Sequence, residues 1–416
     1  MPVPDAIGRE TAASPRWLSI VGVGEDGIHG LSAVARGLIA SADIVFGGRR
    51  HLALVAPLIR GAARPWTSPF DGAADEVLAQ RGRPVCVLAS GDPFHYGVGA
   101  VLARQIDARE MNVVPAPSVF SLAAARLGWS LPQTALLSVH GRNLDLVRPH
   151  LQPGARILAL TSDGDGPQAL ANLLKDLGFG GSHVTVLEAL GGPRERIRTT
   201  TAAGFDFGAV EALNTLAIEV EAAADARVIA RGFGLADTLF EHDGQITKRE
   251  IRAVTLSSLA PRRGELLIDI GAGSGSVAVE WLLADPPFMR AIAIEQNAER
   301  AARIRRNAAA FGVPALEVIE GAVPGALSDL PTPDAVFVGG GASDPGVLDA
   351  ASRALRPGGR LVVNAVTLET EALLLARYAA LGGELARIAI ARADTVGSRS
   401  AWRPAMPVTQ WIWTKP

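Results

Sequence analysis

The stretch Glu265-Leu266-Leu267-Ile268-Asp269-Ile270-Gly271-Ala272-Gly273-Ser274-Gly275-Ser276 decides the fold of the carboxy-terminal half. A short apolar strand runs directly into a glycine loop, and the loop into a helix. Glycines 271, 273 and 275 let the backbone turn tightly and approach a ligand with no Cβ in the way, while the helix that follows offers free N–H groups. The dinucleotide fingerprint needs Gly or Ala at its sixth position, where this chain has Ser276. The pattern is therefore Gly-x-Gly-x-Gly, which favours S-adenosylmethionine (SAM) over NAD. The next strand, Ala291-Ile292-Ala293-Ile294, ends in Glu295, twenty residues after Gly275, where a carboxylate can grip ribose hydroxyls.

Outward from this loop, short apolar strands alternate with helical stretches: Leu266 to Ile270, Ala291 to Glu295, Leu316 to Glu320, Ala335 to Val338 and Arg360 to Asn364. Such alternation gives a parallel sheet with crossover helices. Leu385 to Ala391 and Val408 to Trp413 follow with no good helix between them, which predicts an antiparallel closing pair. This half resembles the Rossmann-like class I SAM-dependent methyltransferases. In that frame Gly271, Gly273 and Gly275 serve the methionine and ribose region, Glu295 the ribose hydroxyls, and Ala322-Val323 the adenine edge. Thr247 and Lys248, at the start of a helix, would close over cofactor or substrate. Asp269 has two readings, one reaching the methionine end of SAM and one bonding the N–H groups of its own loop. Gly339-Gly340-Gly341, after the fourth strand, leave room for something broad and flat, or form a simple tight loop. The Asn/Asp-Pro-Pro-aromatic motif of exocyclic-amine methylation is absent there, so a nucleobase amine is not the expected acceptor.

A chain of 416 residues is long enough for two domains, each with its own core. The linker falls in the Ala/Gly-rich piece from Glu221 to Gly234, giving domains 1–222 and 235–416. Lys+Arg 40 against Asp+Glu 42 leaves a net charge of −2 with no block of like charge, so neither nucleic acid nor an anionic membrane is an expected partner. No apolar run is long enough to span a bilayer, and residues 1–15 carry no signal-peptide core, which predicts a cytoplasmic protein. The single cysteine, Cys86, lies in an apolar run and reads as a buried structural thiol. Lys175, Lys248 and Lys415 are the lysines, leaving 37 arginines among the 40 basic residues. Lys248 is therefore either a chemically chosen residue or surface drift.

The amino-terminal half is α/β but built differently. Its first strand, Trp17 to Val21, enters Gly22-Val23-Gly24-Glu25-Asp26-Gly27. A second glycine-acid loop, Ser90-Gly91-Asp92-Pro93-Phe94-His95-Tyr96-Gly97, follows strand Val85 to Ala89. With Pro115-Ala116-Pro117-Ser118-Val119-Phe120-Ser121 and Glu188-Ala189-Leu190-Gly191-Gly192-Pro193-Arg194-Glu195, these loops resemble the tetrapyrrole methylases, the class III SAM-dependent fold, over residues 16 to 222. The resemblance makes Gly22, Gly24, Gly91, Asp92 and Ser118 cofactor contacts. Many members carry Gly-x-Gly-Pro-Gly in the first loop, whereas Glu25-Asp26 precede Gly27 here. His95, without a second ligand or base beside it in the sequence, reads equally as an ordinary loop histidine.

A tetrapyrrole methylase followed by a class I domain beginning Asp243-Gly244-Gln245-Ile246-Thr247-Lys248-Arg249-Glu250 resembles the fused, decarboxylating precorrin methyltransferases of cobalamin biosynthesis. That resemblance implies methylation of meso carbons C5 and C15 with two SAM, loss of carbon dioxide from the C12 acetate, no metal, and a homo-oligomer. Enamine-like meso carbons need in-line positioning and exclusion of water more than a strong base. The catalytic candidates are Asp92 and Lys248. Arg142 and Arg249 are the substrate-binding candidates beside Gly339, Gly340 and Gly341, with Arg194 and Arg252 as further arginines for carboxylates. Each of these arginines reads equally as a solvated surface charge. Two alternatives stand: an RNA methyltransferase, and a tetrapyrrole-binding module fused to a single methyltransferase.

Overall fold

The computed structural model describes residues 16–67 and 72–416; the reading of residues 1–15 as leader-free lies outside the described residues. The chain forms two compact units. The first runs to Arg142 and resumes from Pro153 to Arg227; the second combines Asn143–Gln152 with Val228–Pro416. The short segment 143–152 therefore belongs to the second unit, where Asp145 and Pro149 lie against Gly312.

The first unit contains two sheets. Strands β1 (Leu18–Val23), β2 (Ile44–Gly47), β3 (Ala62–Pro65), β4 (Val85–Ser90) and β5 (Met111–Val114) form a parallel sheet in the order β3-β2-β4-β1-β5. Strands β6 (Thr134–Ser138), β7 (Arg156–Leu160), β8 (His183–Glu188), β9 (Arg196–Thr201) and β10 (Asn214–Glu219) form a second, mostly antiparallel sheet, β6-β7-β10-β8-β9. Helices α1 (Ala33–Ser41), α2 (Arg49–Leu54), α3 (Ala73–Leu78), α4 (Val98–Leu102), α5 (Val119–Leu127) and α6 (Gly166–Asp176) make the connections. Alternate residues of the first sheet supply two separate cores. Leu18, Ile20, Phe46 and Val87 face one side, and Val21, Val45, Cys86 and Leu88 the other. Burial pushes the Cys86 thiol up to about 12, an inert structural cysteine.

In the second unit β11 (Leu266–Ile270), β12 (Arg290–Glu295), β13 (Glu317–Glu320), β14 (Ala335–Val338) and β15 (Arg360–Ala365) run parallel. β16 (Glu384–Ile388), β17 (Ala391–Val396), β18 (Arg399–Pro404) and β19 (Val408–Thr414) complete the chain. β19 inserts antiparallel between β15 and β16, giving β13-β12-β11-β14-β15-β19-β16. The antiparallel closing pair is thus present. The sequence reading did not foresee that β17 and β18 leave the sheet as a separate two-stranded hairpin. Helices α7 (Arg249–Leu259), α8 (Ser276–Leu283) and α9 (Ala298–Ala310) cover one face over Leu267, Ala293 and Phe337. Helices α10 (Val347–Ala354) and α11 (Leu368–Leu381) cover the other over Ile268, Ile294 and Val336. No helix among the described residues is long and apolar enough to cross a membrane.

The order β3-β2-β4-β1-β5 brings three loops of the first unit to one edge, and backbone contact locks them. Gly91 N donates to Val23 O (3.1 Å) and Ala116 N to Gly91 O (3.2 Å). A Cβ on Gly22 would lie 2.0 Å from Gly91 O and 2.5 Å from Ala116 N, with no flexible side chain to yield. Gly22→Ala should therefore destabilise the first unit by about 1–3 kcal/mol or more through overpacking. Chemical denaturation followed by a probe in that unit, with the second unit's transition unmoved, checks this.

Candidate active site

The carboxyl ends of β11, β12, β13 and β14 and the segment leading into α7 enclose a cavity of about 620 Å³. Ile270, Gly271, Ala272 and Gly273 form its floor, because β11 is central in the sheet and ligands collect where strands diverge. The loop keeps its shape through left-handed backbone at Gly271 (φ +66) and Gly273 (φ +61). A Cβ at Gly271 would meet Gly340 O at 2.7 Å, and one at Gly273 would meet Gln245 O at 3.2 Å. Glu295, 4% exposed at the end of β12, accepts from Gly273 N (2.9 Å) and Asn297 N (3.0 Å). Each carboxylate oxygen thus keeps a lone pair for a ligand hydroxyl. Ala322 and Val323 line the side next to β13, and Gly339, Gly340 and Gly341 the side next to β14.

The near wall is the irregular segment before α7, with Gly244 to Lys248 in contact with the cavity. It is held by a buried charge cluster. Arg252, fully buried on α7, donates from Nε to Glu280 Oε1 (2.6 Å), from Nη1 to Asp237 Oδ1 (3.0 Å) and Thr247 O, and from Nη2 to Leu235 O. Glu280, on α8, also accepts from Gly234 N (2.6 Å) and Leu235 N (3.0 Å). Arg252 is thus a brace inside the wall, and the expectation that it grips substrate is corrected: every donor direction is turned inward. Arg249 is also corrected. It is exposed on α7 and absent from the cavity lining, while its neighbours Lys248, Glu250 and Ile251 face the cavity. One residue is about 100° of helix turn, enough to point it elsewhere.

One glycine of the loop does other work than expected. Gly275 (φ +73) caps α8, and a Cβ there would strike Ile304 of α9 at 2.7 Å. It lets two helices approach and does not line the cavity. Asp269, 1% exposed, accepts from Ala278 N at 3.2 Å, a bond to helix α8 and not to the N–H groups of the glycine loop. Lys248, the N-cap position of α7, lines the cavity; its carbonyl accepts from Arg252 N (2.7 Å), while its ammonium has no hydrogen-bond or ion-pair partner among the described residues.

Sequence reasoning gave no role to Arg300, Asn364 and Arg392, which also line the cavity. Asn364 donates to Thr255 Oγ1 (3.0 Å) and accepts from Gln410 Nε2 (2.8 Å). The signal was an amide in each of two apolar strands, Leu361-Val362-Val363-Asn364 and Thr409-Gln410-Trp411.

In the first unit Gly22, Gly91 and Ser118 converge. A Cβ on Gly91 (φ +58) would lie 3.1 Å from Ser118 Cα, and Ser118 caps α5 by accepting from Ser121 N. Gly24 O closes the first loop by accepting from Gly27 N (3.1 Å). Asp92 is half-buried and accepts from Phe94 N at 2.8 Å, a turn bond. Arg142 lies over the Tyr96 ring at 5.8 Å from its centroid, beside the same loop, and His95 packs on Phe120 at 4.7 Å. Arg194 is taken up by Glu211 (2.8 Å). Burial, helped by Arg50, pulls the His51 imidazole down to about 4, so His51 is neutral, and its Nε2 lies 2.9 Å from Arg50 Nη2.

Known proteins give the following matches. Residues 18–206 match the family model of tetrapyrrole (corrin/porphyrin) methylases, and residues 238–415 that of a precorrin methyltransferase domain. The chain is 59% identical over 99% of its length, and 99% of the relative's, to a precorrin-6Y C(5,15)-methyltransferase [decarboxylating] of Sinorhizobium sp.. It is also similar to two shorter proteins. One is described as a probable cobalt-precorrin-6B C(15)-methyltransferase (decarboxylating) of Pyrobaculum calidifontis (36% identity, 42% of this chain, 92% of that protein). The other is a cobalt-precorrin-7 C(5)-methyltransferase of Salmonella typhimurium (29% identity, 43% of this chain, 88% of that protein).

Two outcomes follow from the geometry. Arg252→Met should cost about 3–5 kcal/mol, because Glu280 would remain buried without its charge partner; denaturant titration of the second unit measures it. Burial, reinforced by the Glu295 charge, lifts the Asp269 carboxyl from its ordinary 3.8 to about 7. Between those values the native state holds a proton that the unfolded chain has lost, so stability falls as pH rises through that window and levels off above it. Asp269→Asn should abolish this contribution, seen as a smaller difference between unfolding midpoints at about pH 5 and pH 8.

Proposed function

The chain belongs to the decarboxylating precorrin-6Y C(5,15)-methyltransferases, and on that premise we propose a division of its chemistry between the two units. The first methylates C5 of a reduced precorrin-6, and the second methylates C15 and removes the C12 acetate as carbon dioxide, each with its own SAM. The existence of separate relatives named for the C(5) reaction and for the decarboxylating C(15) reaction, each covering under half of this chain, supports that division. Its site is the cavity of about 620 Å³, within the size range of small-molecule pockets. We place the reaction in the cytoplasm.

The residues of the second unit fit SAM. Glu295 would take the ribose diol, the Gly271–Gly273 backbone the amino-acid portion, and Ala322-Val323 the adenine, against the apolar side chains of Ile270 and Ile294. SAM supplies an electrophilic methyl group. The chain's own task is orientation: the 244–248 wall and the 339–341 loop hold the macrocycle in line and keep water out, which is the principal demand of transfer to an enamine-like carbon. In decarboxylation the bond from the acetate CH₂ to its carboxyl carbon breaks, and the electron pair passes into the conjugated ring system. A proton returned to the substrate completes the balance. Lys248, uncommitted to any anion among the described residues, orients substrate or delivers that proton.

Full-length enzyme given reduced precorrin-6 and SAM should yield a doubly methylated, decarboxylated product by mass spectrometry. Lys248→Ala should slow decarboxylation and C15 methylation more than it weakens SAM binding. Glu295→Ala should weaken one of two SAM sites by about 1.5–3 kcal/mol in calorimetry. Asp92→Ala should remove C5 methylation alone. If Asp92→Ala leaves both methyl groups in place at normal rates, Asp92 is a turn residue only.

A further inference from the structure

The hairpin β17–β18 is an oddity of the second unit. Its strands pair only with each other, and every side chain but that of Asp394 is exposed. A lone two-stranded ribbon is marginal in water. This one also sets Arg392 directly opposite Arg403, a like-charge pair that weakens the ladder. Each arginine is answered by a carboxylate. Arg403 finds Asp394 within the hairpin (2.9 Å), but Arg392 reaches out of it to Glu250 on α7.

That reach crosses the cavity wall. Arg392 and Glu250 both line the cavity, and so do Ile390, Ala405 and Met406 at the base of the hairpin. The cavity's other two cations are differently placed. Arg300 is committed to Asp243 (2.9 Å), which Arg303 also contacts (3.1 Å), and this pair of guanidiniums holds the Asp243 carboxyl far below the usual range. Lys248 is uncommitted. Arg392 is intermediate: it is paired, but side-chain exposures of 54% and 38% make this a solvent-reached ion pair of small net strength. A ligand carboxylate that takes both N–H donors of the fork would displace Glu250 readily.

We propose that Arg392 is a specificity residue that binds a peripheral carboxylate of the tetrapyrrole, and that Glu250 is its place-holder in the substrate-free pocket. The inference rests on the reading of this cavity as the precorrin site. The exchange keeps the hairpin pinned at the mouth in both states, first by Glu250 and then by substrate. The carboxylate taken is not the one lost as carbon dioxide, since an ion pair would stabilise that group in the ground state and oppose its departure.

The test uses the full-length enzyme, with reduced precorrin-6 as substrate, C15 methylation as readout and SAM affinity measured separately. Arg392→Ala should raise KM roughly 10–100-fold, the loss of a charged hydrogen-bonding partner, with kcat much less affected and SAM binding unchanged. Arg392→Lys should recover part of the loss. Glu250→Gln should lower KM, because it frees the guanidinium. An unchanged KM in Arg392→Ala, or a KM raised by Glu250→Gln as much as by Arg392→Ala, would overturn the assignment, the latter reducing the pair to a structural pin. Wild-type enzyme unable to methylate the precorrin would instead sink the functional reading on which the inference rests.

Discussion

The buried pair Arg252–Glu280 is the interaction on which the second unit's site depends. Desolvating two charges is expensive, and the cost is offset only when every donor and acceptor is met. Here Arg252 meets Glu280, Asp237 and two backbone carbonyls, while Glu280 also takes two backbone N–H groups. Those backbone partners lie in the irregular segment 234–247, which has no sheet or long helix of its own to fix it. Through the pair, that segment becomes an extension of α8. Since α8 is also the helix that starts from the glycine loop, the wall and floor of the cavity share one anchor.

The floor is set by different forces. Central placement of β11 buries both faces of the strand, so its loop emerges from a rigid core. Glu295 then ties the loop to the end of β12 through Gly273 N, and the loop opposes β14 by backbone contact at Gly340. The carboxylate that would bind the ribose therefore also shapes the loop beneath it. The mouth is looser. Its hairpin has little buried apolar surface and is tied to α7 by a rim ion pair, the mark of a locally less stable element.

Much of this was legible in the sequence because it rests on local pattern. Strand period, glycine spacing and the carboxylate ending the next strand are all read within about thirty residues, and each needs only backbone geometry to be interpreted. Positions 271, 273, 295, 322, 323 and 339–341 accordingly line one cavity. The first unit was legible for a similar reason: its loops are rich in Gly and Pro, and the contact of Gly22 with Gly91 explains why a side chain is excluded there.

The sequence by itself determined the alternation of strands and helices in the second unit, the parallel sheet with its antiparallel close, the glycine loop and the fused plan. Tertiary structure alone decided what each charged side chain does. Arg249 and Arg252 are three residues apart, yet one is solvated and the other sealed, because the helix turns between them and Glu280 waits 28 residues away. Gly275 belongs to the same motif as Gly271, but Ile304 on α9 makes it a packing position. Glu250 and Arg392 meet across 142 residues, and segment 143–152 joins a unit whose main part begins at Val228. Such pairings depend on where the folded sheet brings distant side chains, and no short-range period in the chain encodes that.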